Sequence, residues 1–169
     1  MFSFSSRDGS MDIYDIGLGS YISGRREIDI SEASSSLRSG NLVMSMRVRG
    51  AIVSAVAGFV SKGYDYGFSA DLDSDGAADF EAHYRVRSSH PEIWGEISDG
   101  AGRRYSILKG ISTYVRGDLL EMRVPLRVLL QFRDISSFKL EAFARLQDLI
   151  DVCPDANLEA RYRKDLRSR

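Results

Sequence analysis

Alternation of apolar and polar residues is the feature that most restricts the fold of this chain. It recurs in five segments, residues 42–48, 64–72, 78–86, 120–124 and 138–146. Successive side chains of a β-strand point to opposite sides of the sheet. A period of two therefore predicts strands that bury one face and expose the other to water.

Residues 78–86 show how the pattern assigns side chains to faces. The apolar face comprises Ala78, Phe80, Ala82, Tyr84 and Val86. The polar face, which we expect to meet water, comprises Asp79, Glu81, His83, Arg85 and the following Arg87. The prediction is a strand with a uniformly solvated outer side.

Turn-forming segments separate these runs at residues 39–41, 74–76, 99–100 and 116–118. Many one-sided strands at spacings near ten residues predict an all-β fold, a single antiparallel β-sandwich of the jelly-roll or immunoglobulin-like kind. We expect roughly nine or ten strands. A short helical turn is predicted near residues 125–132, because Pro125 suits the first position of a helix.

One domain accounts for most of the chain, since 169 residues suffice for a single core and no linker interrupts them. We place the β-sandwich domain at residues 11–158. Residues 1–10 are rich in serine and are predicted to be a loose lead-in, and residues 159–169 a basic tail.

Charge and hydropathy exclude two classes of function. The formal net charge is −1, so no overall positive field attracts nucleic acid or anionic membrane. The longest apolar run, residues 51–60, is about half the length of a membrane span. The start of the chain lacks the basic and apolar regions of a signal peptide, so the sequence predicts either an intracellular protein or a domain of an exported one.

An aspartate-rich segment interrupts the strands at residues 70–81. Asp71, Asp73, Asp75 and Asp79 fall within nine positions, and Gly76 follows the third of them. Carboxylates at alternate positions converge as a chain curls, and Ca²⁺ prefers six to eight hard oxygen ligands. The spacing therefore predicts a calcium site with these four carboxylates and the carbonyl of Ala77.

The segment departs from a helical calcium-binding hand in one respect. Ala82 stands where such a hand has its bidentate glutamate, and strands flank the loop in place of helices. The alternative interpretation is a polar hairpin turn, because Asp and Gly are also common turn residues. Four carboxylates so close together repel one another, which favours the calcium interpretation.

Four segments in this order resemble an exported group of bacterial and archaeal β-sandwiches, the DOMON-like domains and the family 9-type carbohydrate-binding modules. The segments are residues 26–50, residues 66–84 with the aspartate-rich tip, residues 117–130 with a Pro-Leu step, and residues 151–158. The resemblance implies a non-catalytic module, outside the cell or at its surface, that binds a sugar, a haem or a protein partner. It also implies structural calcium.

A glycan-binding platform needs an exposed aromatic ring with polar neighbours. Trp94 is the candidate, because Ile93 and Ile97 take the opposite face of their segment, and Tyr105 and Tyr114 are candidates to join it. The alternative is that Trp94 covers the edge of the core, as large aromatic residues often do.

Haem b is the other cofactor that the resemblance implies, held between methionine and histidine in an electron-transfer domain. The candidates are Met44, Met46, Met122, His83 and His90. Alternation opposes this hypothesis, since it places the methionines on apolar faces and His83 on a polar face. Nothing in the sequence singles out a catalytic pair or a nucleophile motif, so we expect a non-enzyme.

Overall fold

The computed structural model of the chain describes residues 3–8, 12–107, 110–135 and 138–154. Within these ranges the chain forms thirteen β-strands and one short helix. The elements are β1 (Ser3–Arg7), β2 (Ile13–Asp15), β3 (Ser20–Ile22), β4 (Ile30–Arg38), β5 (Asn41–Val48), β6 (Tyr64–Asp71), β7 (Phe80–Val86), β8 (Pro91–Ser98), β9 (Arg104–Ser106), β10 (Ser112–Arg116), β11 (Leu119–Pro125), α1 (Leu126–Leu129), β12 (Lys139–Leu146) and β13 (Leu149–Cys153).

Two antiparallel sheets pack face to face around one core. The five-stranded sheet has the order β1-β4-β5-β11-β10, and the eight-stranded sheet has the order β3-β2-β13-β12-β6-β7-β8-β9. Apolar residues from both sheets contact one another in a single buried cluster. The predicted all-β antiparallel sandwich is therefore confirmed.

The core follows the predicted alternation. In β5 the side chains of Leu42, Met44, Met46 and Val48 are at most 3% exposed. In β7 the inward residues Phe80, Ala82, Tyr84 and Val86 are equally buried. The burial of apolar side chains from both sheets is the main favourable contribution to folding in such a sandwich.

The ends of the chain differ in part from expectation. The predicted loose lead-in is wrong for Ser3–Arg7, because β1 pairs with β4 along its whole length and Phe4 lies opposite Ser35. The described residues form thirteen strands where nine or ten were expected, and β2 and β3 have three residues each, too few to show alternation. The predicted tail at residues 159–169 lies outside the described residues.

The helical turn predicted at residues 125–132 is confirmed. Helix α1 begins directly after Pro125, and it buries Leu129. None of the described helices is long and apolar enough to cross a membrane.

Candidate functional site

The aspartate-rich segment forms the tip of the β6–β7 hairpin. Asp71 ends β6, and its Oδ1 accepts hydrogen bonds from the backbone N–H of Asp73 at 3.2 Å and of Ser74 at 2.6 Å. Its Oδ2 accepts one from Gly76 at 3.0 Å. Gly76 has φ of +88°, a conformation in which glycine is not strained. The loop thus curls around the Asp71 carboxylate.

These backbone donors change the acidity of Asp71. Desolvation opposes ionisation, but the N–H groups of Gly76, Ser74 and Asp73 outweigh it and lower the pKa of the Asp71 carboxyl. Hydrogen bonds to a carboxylate favour its charged form. Asp71 is therefore an anion at neutral pH, as a calcium ligand has to be.

Three of the four predicted carboxylates come together. Asp71, Asp73 and Asp79 each offer one oxygen, and the three oxygens lie within 4.8 Å of one another. Asp75 is not part of this group, and its Oδ1 accepts a hydrogen bond from the N–H of Ala77 at 2.8 Å. Carboxylate oxygens are of the kind that Ca²⁺ prefers, and this group would supply three of the six to eight ligands that the ion takes.

Arg133 brings a positive charge to the same carboxylates from a distant part of the chain. Its guanidinium donates hydrogen bonds to Asp73 and Asp79, and its side chain is 10% exposed. The repulsion among the carboxylates is thus already reduced by a cation of the protein. A calcium ion at this tip would share Asp73 and Asp79 with Arg133.

A second group of carboxylates lies where no sequence pattern indicates one. Asp8, Asp12 and Asp151 each offer an oxygen within 4.8 Å of the others. Burial raises the pKa of Asp151 to about 7, and the negative charges of Asp12 and Asp29 act in the same direction, against the N–H donors of Ile30 and Val152. Asp8 and Asp12 are four residues apart, but Asp151 is far from both in sequence, so only the fold shows this group.

The predicted aromatic platform does not form. Trp94 lies on the outer face of the eight-stranded sheet, next to His83. Tyr105 packs inward against the core, where its ring lies 4.9 Å from Phe132. Tyr114 is half-exposed on β10 of the other sheet. The three rings therefore occupy three different faces, and the expectation that they join is wrong.

A row of residues crosses the outer face of the eight-stranded sheet from strand to strand. In register order it comprises Val152, Phe143, Gly67, His83 and Trp94. A Cβ on Gly67 would lie only 2.3 Å from the Phe143 ring. Glycine at this position therefore leaves the space in which the Phe143 ring lies beside His83.

His83 is buried, which corrects the prediction that it faces water. His83 is only 7% exposed, although its side chain lies on the outer side of β7. Its ring stacks on Trp94, with centroids 3.8 Å apart and an interplanar angle of 5°, and lies 5.1 Å from the Phe143 ring. Alternation predicted the side of the sheet correctly, but the aromatic neighbours exclude the water.

Carboxylates face both nitrogens of the His83 ring. Nδ1 lies 3.1 Å from Asp65 and Nε2 lies 3.5 Å from Glu81. Burial lowers the pKa of His83, but hydrogen bonding and charge from Asp65 and Glu81 outweigh it, so its pKa is raised. Arg85 also contacts Asp65 at 2.8 Å. These residues form an alternating set of charges in which His83 and Asp65 are buried and Glu81 and Arg85 are partly buried.

A groove of about 370 Å³ lies beside this row on the outer face. Its apolar lining comprises Phe143, Ile150, Val152 and Ala78. Its charged lining comprises Asp65, Glu81, His83, Arg85, Glu141 and Arg145. A cavity with an apolar floor and a few convergent polar groups has the general composition of a ligand site.

The candidate haem ligands are not brought together. Met44, Met46 and Met122 are buried in the core between the sheets, at most 1% exposed. His83 lies on the opposite, outer side of the eight-stranded sheet, and His90 is exposed. The structure therefore places no methionine beside a histidine among these candidates.

No protein-family model matches this chain, and no match was found among curated proteins or among solved structures. The resemblance to DOMON-like domains and family 9-type carbohydrate-binding modules thus stays a prediction. The site is interpreted from its own geometry.

Proposed function

We propose that this chain is a non-catalytic binding module that holds a small glycan in the outer-face groove, with Ca²⁺ bound at the β6–β7 tip. The observation that carries the proposal is the lining of the groove, in which an apolar strip is flanked by charged groups of both signs. A sugar ring offers apolar C–H faces and hydroxyl groups, and such a lining complements both.

The raised pKa of His83 favours a role in binding over a role in catalysis. A general base has to be unprotonated at the working pH. The raised pKa of His83 keeps its ring protonated further into the neutral range, and both ring nitrogens face carboxylates. His83 is therefore suited to hold the charges of Asp65 and Glu81 in place.

Calcium has a structural role in this proposal. Asp71, Asp73 and Asp79 would hold the ion, and its charge would further offset their repulsion. The strands that meet at this tip also supply Ser69 and Glu81 to the groove. A domain of an exported protein would be expected to bind Ca²⁺ with a dissociation constant of roughly 10⁻⁴ to 10⁻³ M, the range of extracellular modules.

Removal of the apolar floor tests the proposal. We expect binding of members of a disaccharide panel, measured by calorimetry, to be saturable and to be weakened at least about tenfold by Phe143→Ala. Tyr114→Ala is the matched control, because Tyr114 is half-exposed on the other sheet. If no sugar binds the wild-type protein, or if both variants bind equally well, the proposed function is wrong.

A further inference from the structure

Arg145 is a charged groove residue whose hydrogen-bonding needs the protein does not meet. It lies on β12, half-buried, and lines the groove. Its Nε is buried without a hydrogen-bond partner, and within the described ranges Arg145 forms no ion pair. A buried donor without a partner costs free energy, which a bound acceptor restores.

The carboxylate directly across from Arg145 is already engaged. Asp65 is the register partner of Arg145 on β6. Its carboxylate contacts Arg85 at 2.8 Å and His83 at 3.1 Å, and these contacts lower its pKa against the effect of burial. Two positive groups thus share the charge of Asp65, and Arg145 remains as a cation open to an anion from outside.

The other end of the groove has the opposite charge. Glu141 lies four residues before Arg145 on the same face of β12, about 13 Å away at the rise of a strand. Glu81 and Ser69, which are register partners, line the same end. Phe143 lies between the two ends. The groove therefore offers a cation, then an apolar surface, then hydrogen-bond acceptors.

We infer that the groove selects an acidic oligosaccharide, a sugar chain of about two rings in which one ring carries a carboxylate. The sugar carboxylate would pair with the guanidinium of Arg145, which binds such groups through two parallel hydrogen bonds. The C–H face of the sugar would pack on Phe143, and hydroxyls of the next ring would donate to Glu141 and Glu81. This inference rests on the proposed function, and it adds the chemical class of the ligand.

Calorimetry with three probes tests the inference. Cellobiouronic acid, with a carboxylate on one of its two rings, is the acidic disaccharide, and cellobiose is its neutral counterpart. A short polyglutamate peptide offers carboxylates without a sugar. We expect cellobiouronic acid to bind at least about tenfold more tightly than cellobiose, with an affinity that falls as salt is added. The peptide is expected to bind more weakly than the acidic sugar.

Arg145→Gln and Arg116→Gln form a matched pair. Arg116 is an exposed arginine on β10 of the other sheet, and the same change there leaves the groove intact. We expect Arg145→Gln to lose at least about tenfold in affinity for cellobiouronic acid and to keep its affinity for cellobiose, while Arg116→Gln binds both as the wild type does. Melting temperatures verify that both variants fold.

The outcomes separate the two proposals. Equal binding of acidic and neutral sugars, unaffected by Arg145→Gln, would overturn the inference and leave the proposed function in place. Equal or tighter binding of the peptide would overturn the assignment to a sugar. Absence of any sugar binding would overturn the proposed function and the inference with it.

Discussion

At the scale of the residue, His83 shows how neighbours reverse an intrinsic preference. Burial alone favours a neutral imidazole, yet Asp65 and Glu81 stabilise the charged form. In return, the His83 ring, whose Nε2 lies 3.5 Å from Glu81, is the main cause that lowers the pKa of Glu81. The flat stack on Trp94 places an aromatic reporter directly on this ring.

The stack makes the protonation of His83 measurable. Trp94 is the only tryptophan in the chain, and a stacked imidazolium quenches indole fluorescence by accepting an electron from its excited state. Because the pKa of His83 is raised, we expect the emission of Trp94 to increase as the pH rises, with a midpoint above 6.5. A fluorescence titration from about pH 5 to about pH 9 measures this midpoint.

His90 provides the control for this titration, since the chain has only two histidines. His90 is exposed in the turn before β8. His83→Gln should remove the transition, whereas His90→Gln should leave its midpoint unchanged. A transition that survives His83→Gln would show that another group controls the fluorescence.

At the scale of the element, the β6–β7 hairpin connects the aspartate tip to the groove. Asp79 ends the loop, and its Oδ2 accepts a hydrogen bond from the N–H of Leu72 at 2.8 Å, which closes the loop across its base. β6 and β7 then continue as neighbouring strands through the outer-face row. The strands that hold the tip therefore also supply residues to the groove.

The hairpin leads to a prediction about calcium. If the tip is the proposed calcium site, Ca²⁺ should raise the melting temperature of chelator-treated protein in a saturable way, because only the folded tip would bind it, and Mg²⁺ should do so less. Asp71→Ala removes a ligand and should weaken calcium binding by more than the roughly tenfold that a change in an outer-shell partner costs. A thermal melt at increasing calcium concentrations measures both effects.

Asp75→Ala is the matched change in the same loop, because Asp75 lies outside the group of three convergent carboxylates. We expect it to keep most of the calcium-dependent rise. The comparison uses the response to calcium and not the initial melting temperature, since Asp71 also accepts three backbone hydrogen bonds. A flat response of the wild-type protein would identify the tip as a polar turn.

At the scale of the whole molecule, folding of the sandwich buries acidic groups and shifts their pKa values. Asp151 is 1% exposed, and its pKa of about 7 lies well above the ordinary value of 3.8. The pKa values of Asp65 and Glu81 are lowered instead. We therefore expect the free energy of unfolding to decrease both when the pH rises and when the solution is acidified.

The direction of each pKa shift determines how that group changes the stability of the protein with pH. Between about pH 4 and pH 7 the folded protein retains a proton on Asp151 that the unfolded chain releases, so stability falls as the pH rises, by up to roughly 4 kcal/mol. The contribution of His83 is complete below about pH 6.5 and is lost as the pH rises through its raised pKa. Asp65 and Glu81 add stability above about pH 4 to 4.5 that is lost on acidification.

We therefore expect maximal stability in mildly acidic solution, near pH 5, when unfolding by urea is measured from about pH 4 to about pH 8. Asp151→Asn should flatten the decline toward pH 8, because an amide does not titrate. Asp148→Asn, an exposed change on the adjacent turn, should leave the slope unchanged. A profile that rises steadily to pH 8 would contradict the raised pKa of Asp151.

Much of the fold could be predicted because strand alternation is local. Alternation in a few consecutive residues shows the buried face of β5, β6, β7, β11 and β12, and Pro125 indicates the helical turn in the same local way. β2 and β3 were missed because three residues show no period. β1 was missed because its serine-rich segment becomes a strand only through its pairing with β4.

The sequence by itself determined the two-layered β architecture, the side of the sheet on which each strand residue lies, and the aspartate loop. These properties depend on neighbours within a few positions of the chain. Only the tertiary structure decided that Arg133 lies against Asp73 and Asp79, that His83 is covered, and that Arg145 faces a groove. Those contacts join residues on separate strands and loops, and their proximity follows from how the sheets pair and pack.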